Sequence, residues 1–196
     1  MLNFGSFLST FRSQQTFRRV RTIPIGCRTS VQTGKMTLAE KIQKYGEARE
    51  HIISVLENET NPVTVMALTA AVLKEAFSHF YWVGFLLVER TDLALGPFQG
   101  PPACIRLPLD SLGVCGTCYR TAQPVLVPDV AAFQNRVSCD VVSKSEIALP
   151  VISENRVAAI LDIDCSEKGG VDEVDQFELD QIISFVGSRL ELGARH

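Results

Sequence analysis

No run of apolar residues in this 196-residue chain approaches the roughly 20 that a membrane-spanning helix needs. Basic residues are not in excess either: 19 Lys and Arg stand against 22 Asp and Glu, a formal charge of −3. Broad nucleic-acid binding wants a basic face. Neither a membrane nor nucleic acid is therefore an expected partner. Internal repeats are absent, and no segment has the size and pattern of a second domain. A globular part of roughly 150 residues can bury about two-thirds of its unfolded surface, so the fold has no need of disulfides.

One absence is local. Residues 1–39 hold Arg12, Arg18, Arg19, Arg21, Arg28 and Lys35 but no acid, and the first carboxylate is Glu40. From there 13 Lys and Arg face 22 Asp and Glu, a balance of −9. Phe4, Phe7, Leu8 and Phe11 would line one face of a short helix, and Ser and Thr fill much of the rest. An Arg-rich, Ser-rich, acid-free amphipathic start has the composition of a mitochondrial transit peptide. A tail without structure is the plainer alternative. The expected organisation is residues 1–35 as an extension and residues 36–196 as one domain. Met36 can itself start that domain, so both a mitochondrial and a cytoplasmic location are expected.

What is present is patterned. Leu38, Ile42, Tyr45, Ala48, Ile52 and Leu56 recur at helical spacing. Asn61-Pro62 caps and opens a second helix, whose buried face runs through Met66, Thr69, Leu73, Phe77 and Phe80. Tyr81 to Glu89 reads as a strand, Arg90-Thr91-Asp92 as a turn, and Leu93 to Leu95 as the returning strand. Gly96 to Pro102 reads as a loop and Ala103 to Leu107 as a short strand. A short helix opens near Gly113, and Pro124 to Val127 is another strand. After a polar, irregular stretch over 129–144, Ser145 to Ser153 and Arg156 to Cys165 form a β-hairpin about Glu154-Asn155. Leu179, Ile182, Ile183, Val186 and Leu190 mark a last amphipathic helix. This order predicts an α+β fold: a central, mainly antiparallel sheet with helices packed on one face. Loops between 96 and 144 would roof a pocket on the other face.

Six cysteines punctuate the chain: Cys27, Cys104, Cys115, Cys118, Cys139 and Cys165. Clusters of this kind in an intracellular protein suggest metal or redox chemistry. Cys104, Cys115, Cys118 and Cys139 offer four thiolates to zinc, but only Cys115-Gly116-Thr117-Cys118 has a short paired spacing. A thioredoxin-like use of that CxxC would want a βαβ context, which is not evident. A structural role as small apolar residues is the third reading, and the simplest one for Cys165. Thiolate reactivity needs nearby positive charge or a helix N-terminus. Cys115 stands near a helix start, and Cys139 lies in a polar loop between Arg136 and Lys144. The hairpin adds acids: alternation puts Asp162 and Asp164 on one face of a strand, with Glu146 opening its neighbour. They either meet a cationic ligand or point to solvent.

The motifs Tyr81-Trp82-Val83-Gly84-Phe85, Leu95-Gly96-Pro97-Phe98-Gln99-Gly100 and Ala103-Cys104 stand in a distinctive order. They are followed by Gly113-Val114-Cys115-Gly116-Thr117, Val127-Pro128-Asp129-Val130, Cys139-Asp140, Ser143, Ser145-Glu146-Ile147 and Leu161-Asp162-Ile163-Asp164. From about residue 37 onward the chain resembles the free methionine-(R)-sulfoxide reductases, a family with a GAF-type fold. The resemblance implies that Cys139 is the nucleophile, Cys104 the resolving cysteine that pairs with it, and Cys115 an auxiliary third. It implies that Trp82 walls the substrate methyl group, and that Glu146, Asp162 and Asp164 hold the substrate and help to protonate its oxygen. Its further implications are free methionine-(R)-sulfoxide as substrate, a thioredoxin-type dithiol protein as reductant, and no metal or organic cofactor. GAF domains often pair, so a homodimer is expected by analogy. A non-catalytic GAF module that binds a small ligand would share the layout but not this set of cysteines. Two positions depart from the family pattern: Leu86, where Tyr is frequent, and Cys118, where a small residue is usual.

Overall fold

The computed structural model describes residues 36–134 and 142–193. Helix α1 (Leu38–Val55) starts at a reciprocal cap in which Thr37 Oγ1 accepts from the Glu40 amide while the Glu40 carboxylate accepts from the Thr37 amide. In α2 (Pro62–Ala76), Asn61 Oδ1 accepts from the amides of Val63 and Thr64, and Pro62 fills the first turn, where no donor is needed. This helix ends at Phe77, so Phe80 is not on its buried face but begins the first strand.

Six strands follow: β1 (Phe80–Val88), β2 (Asp92–Gln99), β3 (Arg106–Pro108), β4 (Val125–Val127), β5 (Ser145–Ser153) and β6 (Arg156–Cys165). Between β3 and β4 lies α3 (Val114–Thr121), and α4 (Glu173–Gly193) closes the described chain. The strands form one sheet of order β3-β2-β1-β6-β5-β4 in which every pairing is antiparallel. The hairpin stands where its pattern predicts: Glu154 and Asn155 both adopt positive φ, the geometry of a two-residue turn that follows the strand twist.

Strand β2 differs from the expected loop at 96–102, since it runs through Gly96 and Pro97 to Gln99. Gly84 pairs with Phe98 but Leu86 pairs with Leu95, so β2 carries an extra residue at Gly96-Pro97. A bulge tolerates proline within a strand. On the far side β3 pairs only with residues 92–94, because it begins at Arg106 rather than Ala103.

Alternation divides the apolar residues into two cores. On one face Val83, Phe85, Ile147, Leu149, Leu161 and Ile163 pack against α1, α2 and α4 through Tyr45, Ile52, Leu73, Phe77, Ile182 and Val186. On the other face Leu86, Ala148 and Ile160 meet Val114, Cys115 and Cys118 of α3 together with Val127 and Val130. Thus three helices cover one side, and α3 with its flanking loops covers the other.

Candidate active site

The second face carries the polar groups. Register lines up Trp82 of β1, Asp164 of β6 and Glu146 of β5 as direct cross-strand neighbours. The next row is Phe98, Gly84, Asp162 and Ala148. All three acids therefore point away from the three-helix core and toward α3, and each residue is half-buried. Cys115 reaches them from α3, its Sγ 3.9 Å from Glu146 Oε1.

The aromatic wall is built by missing side chains. Trp82 is buried, its indole N–H donates to the Pro101 carbonyl at 3.0 Å, and its ring stacks on Phe98 with centroids 5.7 Å apart. A Cβ on Gly84 would stand 2.3 Å from the edge of that indole and 2.5 Å from Phe98 Cβ. Gly100, at φ +137°, has no room for a Cβ either, the indole Cδ1 lying 2.6 Å away. Both glycines let the ring lie flat over the sheet beside Asp164 and Asp162.

Burial sets the electrostatics. Asp162 holds its proton well above the usual carboxylate range, first because it is desolvated and then because Asp164 is its neighbour. Its Oδ1 is buried and has no hydrogen-bond partner among the described residues. Asp164 Oδ1 accepts from Ser143 Oγ at 2.5 Å. The Cys115 thiol is pushed far up by burial and then by the Asp162 and Glu146 charges. Cys118, fully buried one turn further along α3, is pushed up to about 12, mainly by burial. A CxxC in this setting is a pair of protonated thiols, the opposite of an activated redox pair. Cys165 is likewise raised to about 12, mainly by burial, and sits in the three-helix core, in line with its structural reading.

Cys104 is different: it is disulfide-bonded, whereas Cys115, Cys118 and Cys165 are free thiols. A four-cysteine zinc site is therefore not formed in this state. The Cys104 partner lies outside the described residues, as does Cys139. Of the residues singled out in the sequence, the fold brings together Trp82, Glu146, Asp162, Asp164 and Cys115, and it ties Cys104 by a disulfide in the loop beyond β2. Ser143 and Phe98 gain contacts to this site that their motifs did not reveal. Phe98 was hidden because Gly96-Pro97 reads as a loop, and Ser143 because it precedes the strand by two residues.

Comparison with known proteins agrees with this geometry. The GAF domain model matches residues 59–191. The free methionine-R-sulfoxide reductase of Escherichia coli is 35% identical over 144 residues, covering 74% of this chain and 87% of the relative. The chain belongs to the free methionine-R-sulfoxide reductase family of GAF domains. Within this GAF family, GAF domain-containing protein A of Dictyostelium discoideum is 37% identical over 153 residues, covering 78% of this chain and 96% of that one. The free methionine-R-sulfoxide reductase of Neisseria meningitidis, solved in complex with its substrate, superposes with a TM-score of 0.77 at 38% identity. It covers 82% of this chain and 96% of its own. Membership in the family fits the antiparallel sheet and the placement of Cys104, Cys115 and the acid-bearing motifs on one side of it.

Proposed function

We propose that this GAF protein reduces free methionine-(R)-sulfoxide to methionine. The observation that carries the reading is the row of Trp82, Asp164 and Glu146, with Asp162 one row away and one of its buried oxygens unpartnered. A free amino acid brings what that row needs: an ammonium for the carboxylates and an S-methyl group for the indole face. The named reductases among the relatives, and the substrate complex of one of them, support the same assignment.

In the reaction we assign, the Cys139 thiolate attacks the sulfoxide sulfur while an acid protonates the oxygen. Asp162 is the donor we assign, because burial and its Asp164 neighbour hold its proton well above the ordinary carboxylate range. Loss of that oxygen as water leaves Cys139 bonded to a sulfonium sulfur; water then attacks the Cys139 sulfur and breaks this bond, which releases methionine and a proton and leaves Cys139 as a sulfenic acid. The Cys104 thiol then displaces water from that sulfur and forms a Cys104–Cys139 disulfide. A thioredoxin-type dithiol restores both thiols by exchange and is itself oxidised. Cys115 is auxiliary in this scheme: its thiol is too firmly protonated to attack first. The chemistry calls for no cofactor.

Two variants separate the roles. Cys139→Ser abolishes even a single turnover, because a hydroxyl at neutral pH does not replace a thiolate; retention of most of the wild-type rate would remove Cys139 from the scheme. Cys104→Ser yields one equivalent of methionine, fails to recycle with a dithiol protein, and shows a sulfenic acid on Cys139 by mass spectrometry. Normal recycling by that variant would move the resolving role to Cys115 or Cys118.

A further inference from the structure

Cys115, Glu146 and Asp162 come from three elements, α3, β5 and β6, yet the Sγ and the two carboxylates each place a ligand atom within 4.8 Å of the other two. The Sγ to Glu146 Oε1 edge of that triangle is 3.9 Å. In a tetrahedral zinc site, a sulfur at about 2.3 Å and an oxygen at about 2.1 Å from the ion stand roughly 3.6 Å from each other. One edge of a coordination tetrahedron is thus nearly formed. Asp162 Oδ1 supplies the second observation: it is a buried acceptor with no hydrogen-bond partner among the described residues. Such an atom calls for a donor or a cation.

We infer that Cys115, Glu146 and Asp162 bind a thiophilic divalent cation of the zinc class, leaving a fourth position to water. The sulfur excludes Mg2+ and Ca2+, which take oxygen ligands, and favours zinc or cobalt. Binding is a plain exchange without oxidation: the S–H bond of Cys115 and the O–H bond of Asp162 break as their bonds to the metal form, and both protons leave to solvent. The ion brings positive charge to the carboxylates that the proposed substrate needs for its ammonium group. Metal and free methionine sulfoxide therefore exclude each other, a consequence that rests on the function proposed above. Zinc then acts as a brake on the enzyme and not as its cofactor.

The test uses the full-length oxidised protein, in which the Cys104 disulfide removes that thiol from competition. Co2+ is titrated alone, and the near-ultraviolet thiolate-to-cobalt band is read. The band is expected in the wild type and in Cys118→Ser, and is expected to be lost in both Cys115→Ser and Asp162→Asn. Absence of the band in the wild type, or its survival in Cys115→Ser, overturns the metal site. Free methionine sulfoxide is then added, and it should bleach the band as it displaces the ion. A band that forms on these ligands but withstands saturating sulfoxide leaves the metal site standing and overturns the exclusion, and with it the substrate placement.

Discussion

Single residues here act through what surrounds them. Cys115 and Asp162 have ordinary chemistry in water, but burial behind α3 keeps both protonated. For Asp162 this has a consequence for stability. The folded protein keeps its proton to a higher pH than the unfolded chain does, so stability falls as pH rises above the ordinary carboxylate value of about 4. Asp162→Asn cannot ionise. Its stability relative to wild type should therefore grow steadily from about pH 4 toward neutrality. Urea unfolding midpoints across that range check this, and a difference independent of pH would show that Asp162 titrates alike in both states. The sequence placed Asp162 and Asp164 on one face of a strand but left open which face. Period-two alternation relates residues within a strand; only α3 packing across the sheet decides which side becomes the interior.

At the scale of elements, the hairpin and the first helices were legible because their signals are local. Thr37 with Glu40, Asn61 with Pro62, and Glu154-Asn155 each act within a few residues. Strand β2 was half-legible, since Gly96-Pro97 is a loop signal that the bulge against β1 overrides. The link between α1 and the start of α4 could not be read at all, because its partners are about 130 positions apart. Lys41 Nζ lies 2.6 Å from Asp175 Oδ2 and 2.7 Å from Asp172 Oδ2, and Tyr45 donates to Asp175 Oδ1 at 2.8 Å. Asp175 is fully buried. Lys41→Ala leaves that carboxylate without its cation and should cost about 3–5 kcal/mol, whereas Arg106→Ala breaks an exposed pair with Glu89 and should cost less than about 1 kcal/mol. Denaturant unfolding of the two variants decides, and equal losses would show that the buried tie contributes no more than the surface one.

Over the whole molecule, the abrupt change in charge near Met36 separates an acid-free N-terminal segment from an acidic remainder. We propose that residues 1–35 are not needed by the domain and carry a mitochondrial address, on the strength of their acid-free, Arg-rich composition. A chain beginning at Met36 should fold, keep full activity and stay in the cytosol, while residues 1–35 fused to a fluorescent reporter should carry it to mitochondria. A stability loss above about 1 kcal/mol on truncation would make the segment part of the fold. The described strands converge on one sheet face, where three acids from neighbouring strands stand beside an indole. In the proposed function those acids make the sharpest demand on the substrate, because a methionine inside a polypeptide has no ammonium group to offer them. The most direct measurement is the rate of methionine formation from free methionine-(R)-sulfoxide against N-acetylmethionine-(R)-sulfoxide, under the same reductant. Turnover of the free amino acid with no detectable reduction of the acetylated one is the expected result; comparable rates on both, or none on either, would contradict the proposed function.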